Sequence, residues 1–348
     1  MAVKNHPLGP LLKADLHVHS RYSRFPRLRR LEIRCSYSSP VSIYRTAKAR
    51  GMDLVTITDH NTIDGCLEVR DRLGNPDDFM ISEEVESSYP DRPAKIHLNV
   101  FDIDEEQHRE IQRLRDHFED LCSYLRQNRI LASFNHFIET FAFAVPSEPV
   151  LGNLLDRFDL FEVRDGARHS TYNRLMERVL WQARHGGYPK GLVGGSNAHS
   201  LRRIGLTYTA SRAGSRKEFL EDLRTGATMA FGEDGTLLGM TGDVYQVIGG
   251  YYRSLLPGKG DLRVLEKIQG LAVSLWSLPL HLVFLPFFAV RFHFTATRKI
   301  LLQIQRRLDF LEVTAFRERI QKFPESLAPN RWSGWSGKDA VDPELPST

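Results

Sequence analysis

Short apolar runs alternate with longer amphipathic stretches from about residue 13 to residue 232. Each apolar run has the length of one β-strand, and the stretches between them repeat apolar residues every three or four positions, as helices do. The seven predicted strands lie at residues 14–16, 53–58, 79–82, 96–101, 130–134, 160–163 and 192–194, and the clearest helices at 40–50 and 104–128. Strands that alternate with helices build parallel sheets or barrels. The pattern therefore predicts an α/β barrel of βα units.

The character of the chain changes after about residue 233, and residues 271–290 carry no formal charge. This stretch is long enough to cross a bilayer. Pro279, Pro286 and His281 oppose a spanning helix, whereas the basic residues that follow suit an anionic lipid surface. Membrane association, spanning or interfacial, is favoured over a buried hairpin, and both alternatives stay open.

Apolar residues recur at helical spacing beside many charges from 295 to 322, which predicts an amphipathic helix that packs on the barrel or on a partner. The stretch that follows is rich in proline, glycine and serine, as mobile tails are. Four regions are therefore predicted: a lead at 1–12, the barrel domain at 13–232, a mainly helical, apolar extension at 233–322 and a flexible tail at 323–348.

Composition and charge narrow the class of protein. Hydrophobic residues at 41% and charged residues at 26% are ordinary for a globular protein, and a net charge of +4 gives no strong signal for duplex nucleic acid. Cys35, Cys66 and Cys122 form no C-x-x-C pair, which argues against a disulfide framework and against a thiolate zinc site. The first ten residues carry no secretory signal. We expect a cytoplasmic protein, and the alternative is one that associates with a membrane through its C-terminal extension.

Histidines and acids follow the predicted strands. His17 and His19 form a His-x-His pair after the first strand, and an extended chain points both imidazoles to the same side. Counting all strands, six histidines and one glutamate lie at or near strand ends: His17, His19, His60, Glu84, His97, His136 and His199. In βα barrels the strand ends face one common mouth. Imidazoles with a carboxylate suit zinc, manganese or iron, so we expect a cluster of divalent ions there.

Two or three such ions, held about 4 Å apart, would activate a water molecule and clamp phosphoryl oxygens. Phosphoester hydrolysis is the reaction that this arrangement serves best. An amidohydrolase-like site uses similar ligands to attack a C–N bond, so the ligand types alone leave the scissile bond open.

Four runs of residues resemble the motifs of the polymerase and histidinol phosphatase (PHP) family, in their usual order. They are the runs at 15–20, 57–65, 83–85 and 195–200, and the likeness extends over about residues 13–232. Residues 44–65 look like a bacterial subgroup of stand-alone phosphoesterase-like members. The resemblance implies a distorted seven-stranded (β/α)7 barrel with up to three metal ions at its mouth.

The resemblance also implies roles for individual residues. Metal ligands would be His17, His19, His60, Glu84, His97, His136, Asn197 and His199. Of these, the catalytic set would be His17, His19, His60, Glu84 and His199, and the carboxylates of Asp15 and Asp59 would support the ligands from behind.

Three positions depart from the family pattern. Asn197 stands where the family usually has an aspartate, Cys35 where the subgroup commonly has an acid, and Arg24 where the general pattern has Asp or His. An amide is a poorer ligand than a carboxylate. The alternative to a phosphoesterase is therefore a non-catalytic module that binds a phosphorylated ligand or a partner protein, at a membrane if the extension brings it there.

Arginines cluster near the predicted mouth. Residues 21–34 contain six arginines and one acid, and guanidinium groups bind phosphate in a bidentate manner. Further arginines follow strand ends at 164, 168, 202 and 203. We predict that Arg24, Arg164 and Arg202 bind the substrate, a small phosphorylated molecule or a nucleotide, and that the C-terminal extension contacts an anionic membrane surface.

Overall fold

The computed structural model describes residues 11–24, 34–89, 95–140, 148–185, 190–258 and 264–280, together with scattered positions from 260 to 295. Several predictions fall outside the described residues. They concern the lead before residue 11, the arginine loop between 25 and 33, nearly all of the amphipathic stretch at 295–322, and the tail.

Nine strands form one sheet within the described residues. They are β1 (Leu12–Asp15), β2 (Leu54–Ile57), β3 (Phe79–Ser88), β4 (Lys95–Phe101), β5 (Leu131–Asn135), β6 (Leu160–Asp165), β7 (Gly191–Gly195), β8 (Thr207–Ser211) and β9 (Met229–Gly232). All seven predicted strands are present. The prediction of a (β/α)7 barrel is right in class and wrong in strand number, because β8 and β9 follow the last predicted strand.

Helices connect most of the strands. They are α1 (Pro40–Ala49), α2 (Asp64–Leu73), α3 (Glu105–Leu114), α4 (Phe118–Gln127), α5 (Phe137–Thr140), α6 (Glu148–Arg157), α7 (Ser170–His185), α8 (Arg216–Thr225), α9 (Leu237–Leu255) and α10 (Val264–Pro279). Local signals set their starts: Ser39 caps α1 ahead of a proline in its first turn, and Asp104 forms a capping box at α3. The long helix predicted at 104–128 is two helices, α3 and α4.

The strand order is β7-β6-β5-β4-β3-β2-β1-β8-β9. Strands β1, β2 and β3 are parallel, and so are β5, β6 and β7. Strand β4 runs antiparallel to both of its neighbours, and β8 and β9 are antiparallel additions beside β1. The chain therefore departs from a regular βα barrel at β4, a strand whose direction no hydropathy pattern reveals.

Threonine hydroxyl groups bring the two sides of the sheet together into a nearly closed barrel. Thr209 Oγ1 on β8 accepts a hydrogen bond from Gly194 N at 2.8 Å and donates to Gly194 O at 2.9 Å. Thr228 makes the same pair of bonds to Leu192, at 3.2 and 3.0 Å. Glycine is required at 194, because a Cβ there would lie 2.8 Å from Tyr208 O. These side chains satisfy the edge of β7, where a backbone ladder would otherwise be needed.

The apolar core lies mainly between the sheet and the helices. Its largest cluster joins α3, α4, α6 and α7 to strands β3 to β6, with Ile111, Phe118, Leu154, Phe134 and Phe161 at its centre. These residues cover the outer face of the sheet, and other side chains fill the interior of the barrel. Those that face the mouth are polar or charged, and they form the site described below.

The helices after β9 lie outside the barrel sheet. Helices α9 and α10 contact each other, where Tyr251 OH donates to Gly270 O at 3.2 Å. Helix α10 contains the first part of the apolar segment at 271–290, as far as Pro279, and Leu271, Phe284 and Phe288 are exposed. Among the described residues, no helix combines the length and the apolar character that crossing a membrane requires.

Candidate metal centre

The His-x-His pair lies in an extended segment that continues β1. His19 N donates to Ala198 O at 2.9 Å, and Thr58 N donates to Val18 O at 2.8 Å, so the segment is held between the ends of β7 and β2. Side chains alternate along an extended chain. Val18 is therefore buried in an apolar cluster, and the Nε2 atoms of His17 and His19 meet on the opposite side, 3.1 Å apart.

His60 and Glu84 come together from neighbouring strands. A parallel bridge joins the two residues beyond the end of β2. Asn61 N donates to Glu84 O at 2.8 Å, and Glu84 N donates to Asp59 O at 3.0 Å. The backbone therefore fixes both side chains at the mouth of the barrel.

Two consecutive acids on β3 point to opposite sides. Glu83 is buried against α3, where its carboxylate lies 2.8 Å from His108 Nδ1 and accepts from Gln112 at 2.7 Å. Glu84 faces the mouth. Because the side-chain period of a strand is two, only one of these adjacent carboxylates can join the histidines.

His97 and His136 reach the mouth from opposite strand ends. His97 lies near the start of β4, and the antiparallel direction of that strand places its start at the mouth, opposite Asn135 of β5. His136 follows β5 directly and has a left-handed backbone, with φ of 49°.

The Glu84 carboxylate is the centre of the cluster. Its oxygens lie close to five imidazole nitrogens, at 3.0 Å (His60), 3.2 Å (His97) and 3.5 Å (His17, His19 and His136). The side chain is fully buried. Burial opposes its charge, but the surrounding histidines, His60 foremost, hold the pKa of Glu84 well below its usual value. Glu84 is therefore a buried carboxylate that stays ionised.

Two further carboxylates at the site were not predicted. Glu162 on β6 is buried, and its Oε1 lies 2.6 Å from His17 Nδ1. Asp165, at the end of β6, lies 3.2 Å from His136 Nδ1. No motif marks these residues, and the one signal in the sequence is an acid inside the buried apolar run at 160–163.

Asn197 and His199 complete the mouth from the loop after β7. Asn197 Nδ2 donates to Asp165 Oδ2 at 3.1 Å. The carboxylate at this point of the mouth therefore comes from Asp165 and not from residue 197. The His199 ring lies 4.4 Å from the ring of His19, between centroids, and its Nδ1 lies 3.0 Å from Asn197 O. The His199 ring nitrogen on the far side from that carbonyl thus stays available for ligation.

Protonation divides the histidines into two groups. Burial, with the neighbouring His60, lowers the pKa of His199 to about 4, and burial with His199 and His60 lowers that of His19 well below its usual value. Burial likewise opposes a charge on His136, but contacts with Asp165 and Glu84 prevail and raise its pKa to about 9. His19 and His199 are therefore neutral imidazoles, the form that binds metal ions.

Asp15 and Asp59 hold the backbone around the ligands. Asp15 accepts from Ser196 N at 2.8 Å and from Gly205 N at 2.7 Å. Asp59 accepts from Ser20 N at 2.6 Å and from Ser20 Oγ at 2.5 Å. Burial raises the pKa of Asp15 to about 6 and that of Asp59 to about 7. Both carboxylates face loops that carry ligands, and neither belongs to the donor groups described below.

The three arginines predicted to bind substrate lie in different parts of the structure. Arg164 is paired with Glu177 and Asp234 on the outer side of β6. Arg202 is exposed and lies against Gly242 of α9, and Arg24 is exposed in the loop after the first motif. Arg164 meets acids on a neighbouring helix and turn, which charge counting along the chain does not show.

Among the described residues, Arg168 lies at the cluster. Its Nη2 is 3.5 Å from His136 Nδ1 and its Nε 3.7 Å from Asp165 Oδ2. The side chain is 11% exposed. A guanidinium group in this position faces both the cluster and the solvent.

A cleft of about 620 Å³ opens beside the cluster and reaches it at His199. One wall is the loop and the start of α1, and the other is α9. Its lining includes Arg21, Arg34, Arg253, Tyr37 and Tyr245, and no acidic residue is found among the described residues that line it. Glu68, which lies outside this lining, is paired with Arg21 at 2.7 Å and offsets part of the positive charge of the cleft.

The donor atoms fit divalent metal ions. Four groups of residues each bring their ligand atoms within 4.8 Å of one another: His17, His19 and Glu84; His60, Glu84 and His97; His17, His136 and Glu162; and His19, Cys35, His60 and His199. Glu84 Oε2 and His60 Nδ1 face each other at 3.0 Å without a hydrogen bond, and Glu162 Oε2 is also buried without one. Buried polar atoms normally have a partner. Converging, unsatisfied lone pairs are what a cation would satisfy.

Fold and site define a barrel protein with a buried centre of histidines and carboxylates suited to divalent metal ions. Residues 184–228 match the family described as PHP-associated (PHP_C). This short match supports the resemblance to PHP domain proteins that the four motifs carry.

Relatives in the comparisons are distant or short. The uncharacterized protein MJ1587 of Methanocaldococcus jannaschii is 42% identical over 59 residues, which is 17% of this chain and 34% of that protein. Among solved structures, a two-domain protein of Bacteroides vulgatus containing a predicted PHP-like metal-dependent phosphoesterase is 17% identical, over 64% of this chain and 65% of that chain, with a TM-score of 0.45. PsfC of Pseudomonas syringae is 17% identical, over 71% and 99%, with a TM-score of 0.46.

Proposed function

We propose that this chain is a metal-dependent phosphoesterase that hydrolyses a phosphate ester of a small phosphorylated molecule or a nucleotide. The observation that carries the proposal is the buried Glu84 carboxylate, which lies within 3.5 Å of five imidazoles. Converging imidazoles around a buried carboxylate are a donor set that suits divalent metal ions.

The residues that would hold the ions come from the four donor groups. His17, His19, His60 and Glu84 are shared between groups, so the groups overlap and do not give the number of ions. Divalent ions, when bound, supply Lewis acids that polarise phosphoryl oxygens and a water molecule at neutral pH. Zinc, manganese and iron all suit the donor types.

The substrate would be oriented by cations outside the ligand set. Arg168 at the rim presents a guanidinium group for a phosphoryl oxygen. The rest of the substrate would extend past His199 into the cleft, where Arg34 and Arg253 favour an anionic group and Tyr37 and Tyr245 offer aromatic faces. A cleft of this size accommodates a nucleotide or a sugar phosphate.

Hydrolysis of an aryl phosphate ester by the metal-loaded protein tests the proposal. The variant His19→Ala should lose turnover while keeping its fold, because it removes the Nε2 atom that lies between His17 and Glu84. His117→Ala, an exposed histidine at the start of α4, is the matched control and should retain turnover. Full turnover in His19→Ala, or a metal-loaded protein inactive on both phosphate monoesters and diesters, would refute the assignment.

The second candidate function is a module that binds a phosphorylated ligand without cleaving it. Asn197 motivates it, because its amide donates to Asp165 and leaves its Oδ1 buried without a hydrogen bond. Under this hypothesis the unmodified protein binds metal and phosphate but is silent, and Asn197→Asp creates activity. Robust turnover by the unmodified protein would exclude it.

A further inference from the structure

Cys35 is held beside the candidate metal centre by the backbone. Cys35 N donates to Ser23 O at 3.1 Å, and an antiparallel bridge joins the neighbouring residues Arg24 and Arg34. The side chain is 1% exposed. The thiol therefore has a fixed position, although it is far from the first motif in sequence.

Three imidazoles surround this thiol. Its sulfur and one ring nitrogen each of His19, His60 and His199 lie within 4.8 Å of one another. Ser23 ties the group together, because its Oγ lies 3.1 Å from His19 Nδ1 and accepts from His60 N at 3.2 Å. With Nδ1 of His19 turned to the serine, the Nε2 atom of that ring faces the cluster.

Cys66 shows how an ordinary core cysteine of this chain behaves. It belongs to the apolar cluster around Val69 and Phe79, and its thiol donates to Ile57 O at 3.2 Å. Cys35 is equally buried but lies outside the three apolar clusters that the described residues form. Its neighbours are instead the candidate ligands His19, His60 and His199.

We propose that Cys35 is a thiolate ligand of an ion that it shares with His19, His60 and His199, and that it makes this site select zinc over manganese. On binding, the S–H bond breaks, a sulfur–metal bond forms and the proton leaves to solvent. One sulfur with three nitrogens matches the tetrahedral preference of zinc, whereas manganese prefers oxygen ligands. The inference rests on the metal binding that the proposed function requires, but not on hydrolysis.

X-ray absorption of the full chain loaded with one equivalent of zinc tests the ligand directly. We expect a sulfur neighbour at about 2.3 Å from the zinc. The signal should persist in Cys66→Ser, and in the double variant Cys66→Ser, Cys122→Ser, where Cys35 is the one remaining cysteine. In Cys35→Ser it should disappear. A first shell of nitrogen and oxygen alone in the unmodified protein would overturn the proposal whether or not the variants fold.

Competition between zinc and manganese tests the selectivity. Cys35→Asp replaces the soft sulfur by a hard oxygen, so we expect it to bind manganese better relative to zinc than the unmodified protein does. An unchanged zinc preference in Cys35→Asp would overturn this part of the proposal. Activity measurements separate this proposal from the phosphoesterase proposal. A sulfur-ligated zinc without hydrolysis supports Cys35 as a ligand and refutes the phosphoesterase. Hydrolysis without a sulfur ligand supports the phosphoesterase and refutes Cys35 as a ligand.

Discussion

Replacement of Glu162 by glutamine tests how the cluster is held in place. Glu162 Oε1 lies 2.6 Å from His17 Nδ1, and both side chains are buried, at 0% and 1% exposure. A proton on Nδ1 donated to this carboxylate turns the lone pair of Nε2 toward His19 and Glu84. Carboxylates in this position commonly fix the tautomer and the orientation of a ligating histidine.

The size of the effect follows from the chemistry of that one bond. Glutamine keeps the volume and an acceptor oxygen but removes the charge. A buried hydrogen bond to a charged group contributes about 1.5–3 kcal/mol and one between neutral groups about 0.5–1.5 kcal/mol. The difference of about 1.4 kcal/mol corresponds to roughly tenfold weaker zinc binding, with the number of bound ions unchanged.

The assay is titration of the metal-free protein with zinc in competition with a chromophoric chelator. Glu177→Gln is the matched control, because Glu177 is paired with Arg164 away from the cluster, and its affinity should equal that of the unmodified protein. Unchanged affinity in Glu162→Gln would refute the orienting role. The loss of one whole ion at saturation would show that Glu162 is itself a ligand, as its grouping with His17 and His136 allows.

Three further outcomes are expected. Thr209→Val should lower the free energy of unfolding in urea by about 2–4 kcal/mol, because it leaves two buried backbone groups of Gly194 unpaired. Thr209→Ser keeps the hydroxyl and should be nearly neutral. An equal loss of stability in both variants would contradict the role of the hydroxyl in closing the barrel. Dialysis against a chelator should lower the melting temperature, since zinc at a hundred times its Kd stabilises by about 2.7 kcal/mol; zinc without effect on melting would contradict binding in the folded state. Arg253→Ala should raise KM roughly tenfold for a nucleotide but not for a small aryl phosphate, and equal effects on the two substrates would contradict a role for the cleft.

The parts of the fold that were predictable are those with strong local patterns. The first seven strands are apolar runs bounded by polar residues, and the structure has all of them. Strand β8 was missed because its residues are mostly Thr, Ala and Ser, whose hydropathy does not stand out from a loop. Strand β9 is apolar but has only four residues, too few for a clear pattern. Their contribution is made by hydroxyl groups such as that of Thr209, and no periodicity reveals it.

The residues of the candidate site likewise include some that could be predicted from the sequence and some that could not. Its histidines adjoin strand ends and occur in short motifs, so their convergence could be expected from the order of elements. Glu162 carries no such mark, and Cys35 was noted only as a departure from the family pattern. The absence of a C-x-x-C pair argued against a thiolate zinc site, but that spacing rule concerns ligands from one turn, whereas Cys35 meets histidines from three separate segments.

The positions of charged residues in the sequence predicted the candidate site less well than the histidine motifs did, and the structure gives a physical reason. A guanidinium group binds whichever acid or phosphate it reaches first in space, and sequence neighbours do not decide this. Arg164 follows the buried strand β6 yet is paired with Glu177 and Asp234, while Arg168, four residues later, turns to the cluster beside His136. The bulge between Glu162 and Arg164 reverses the faces of the strand residues that follow it. Arg164 therefore turns to Glu177 while Asp165 turns to His136, and Arg168 lies in the turn after the strand. An arginine near a strand end is therefore informative about substrate only when the register of that strand is known.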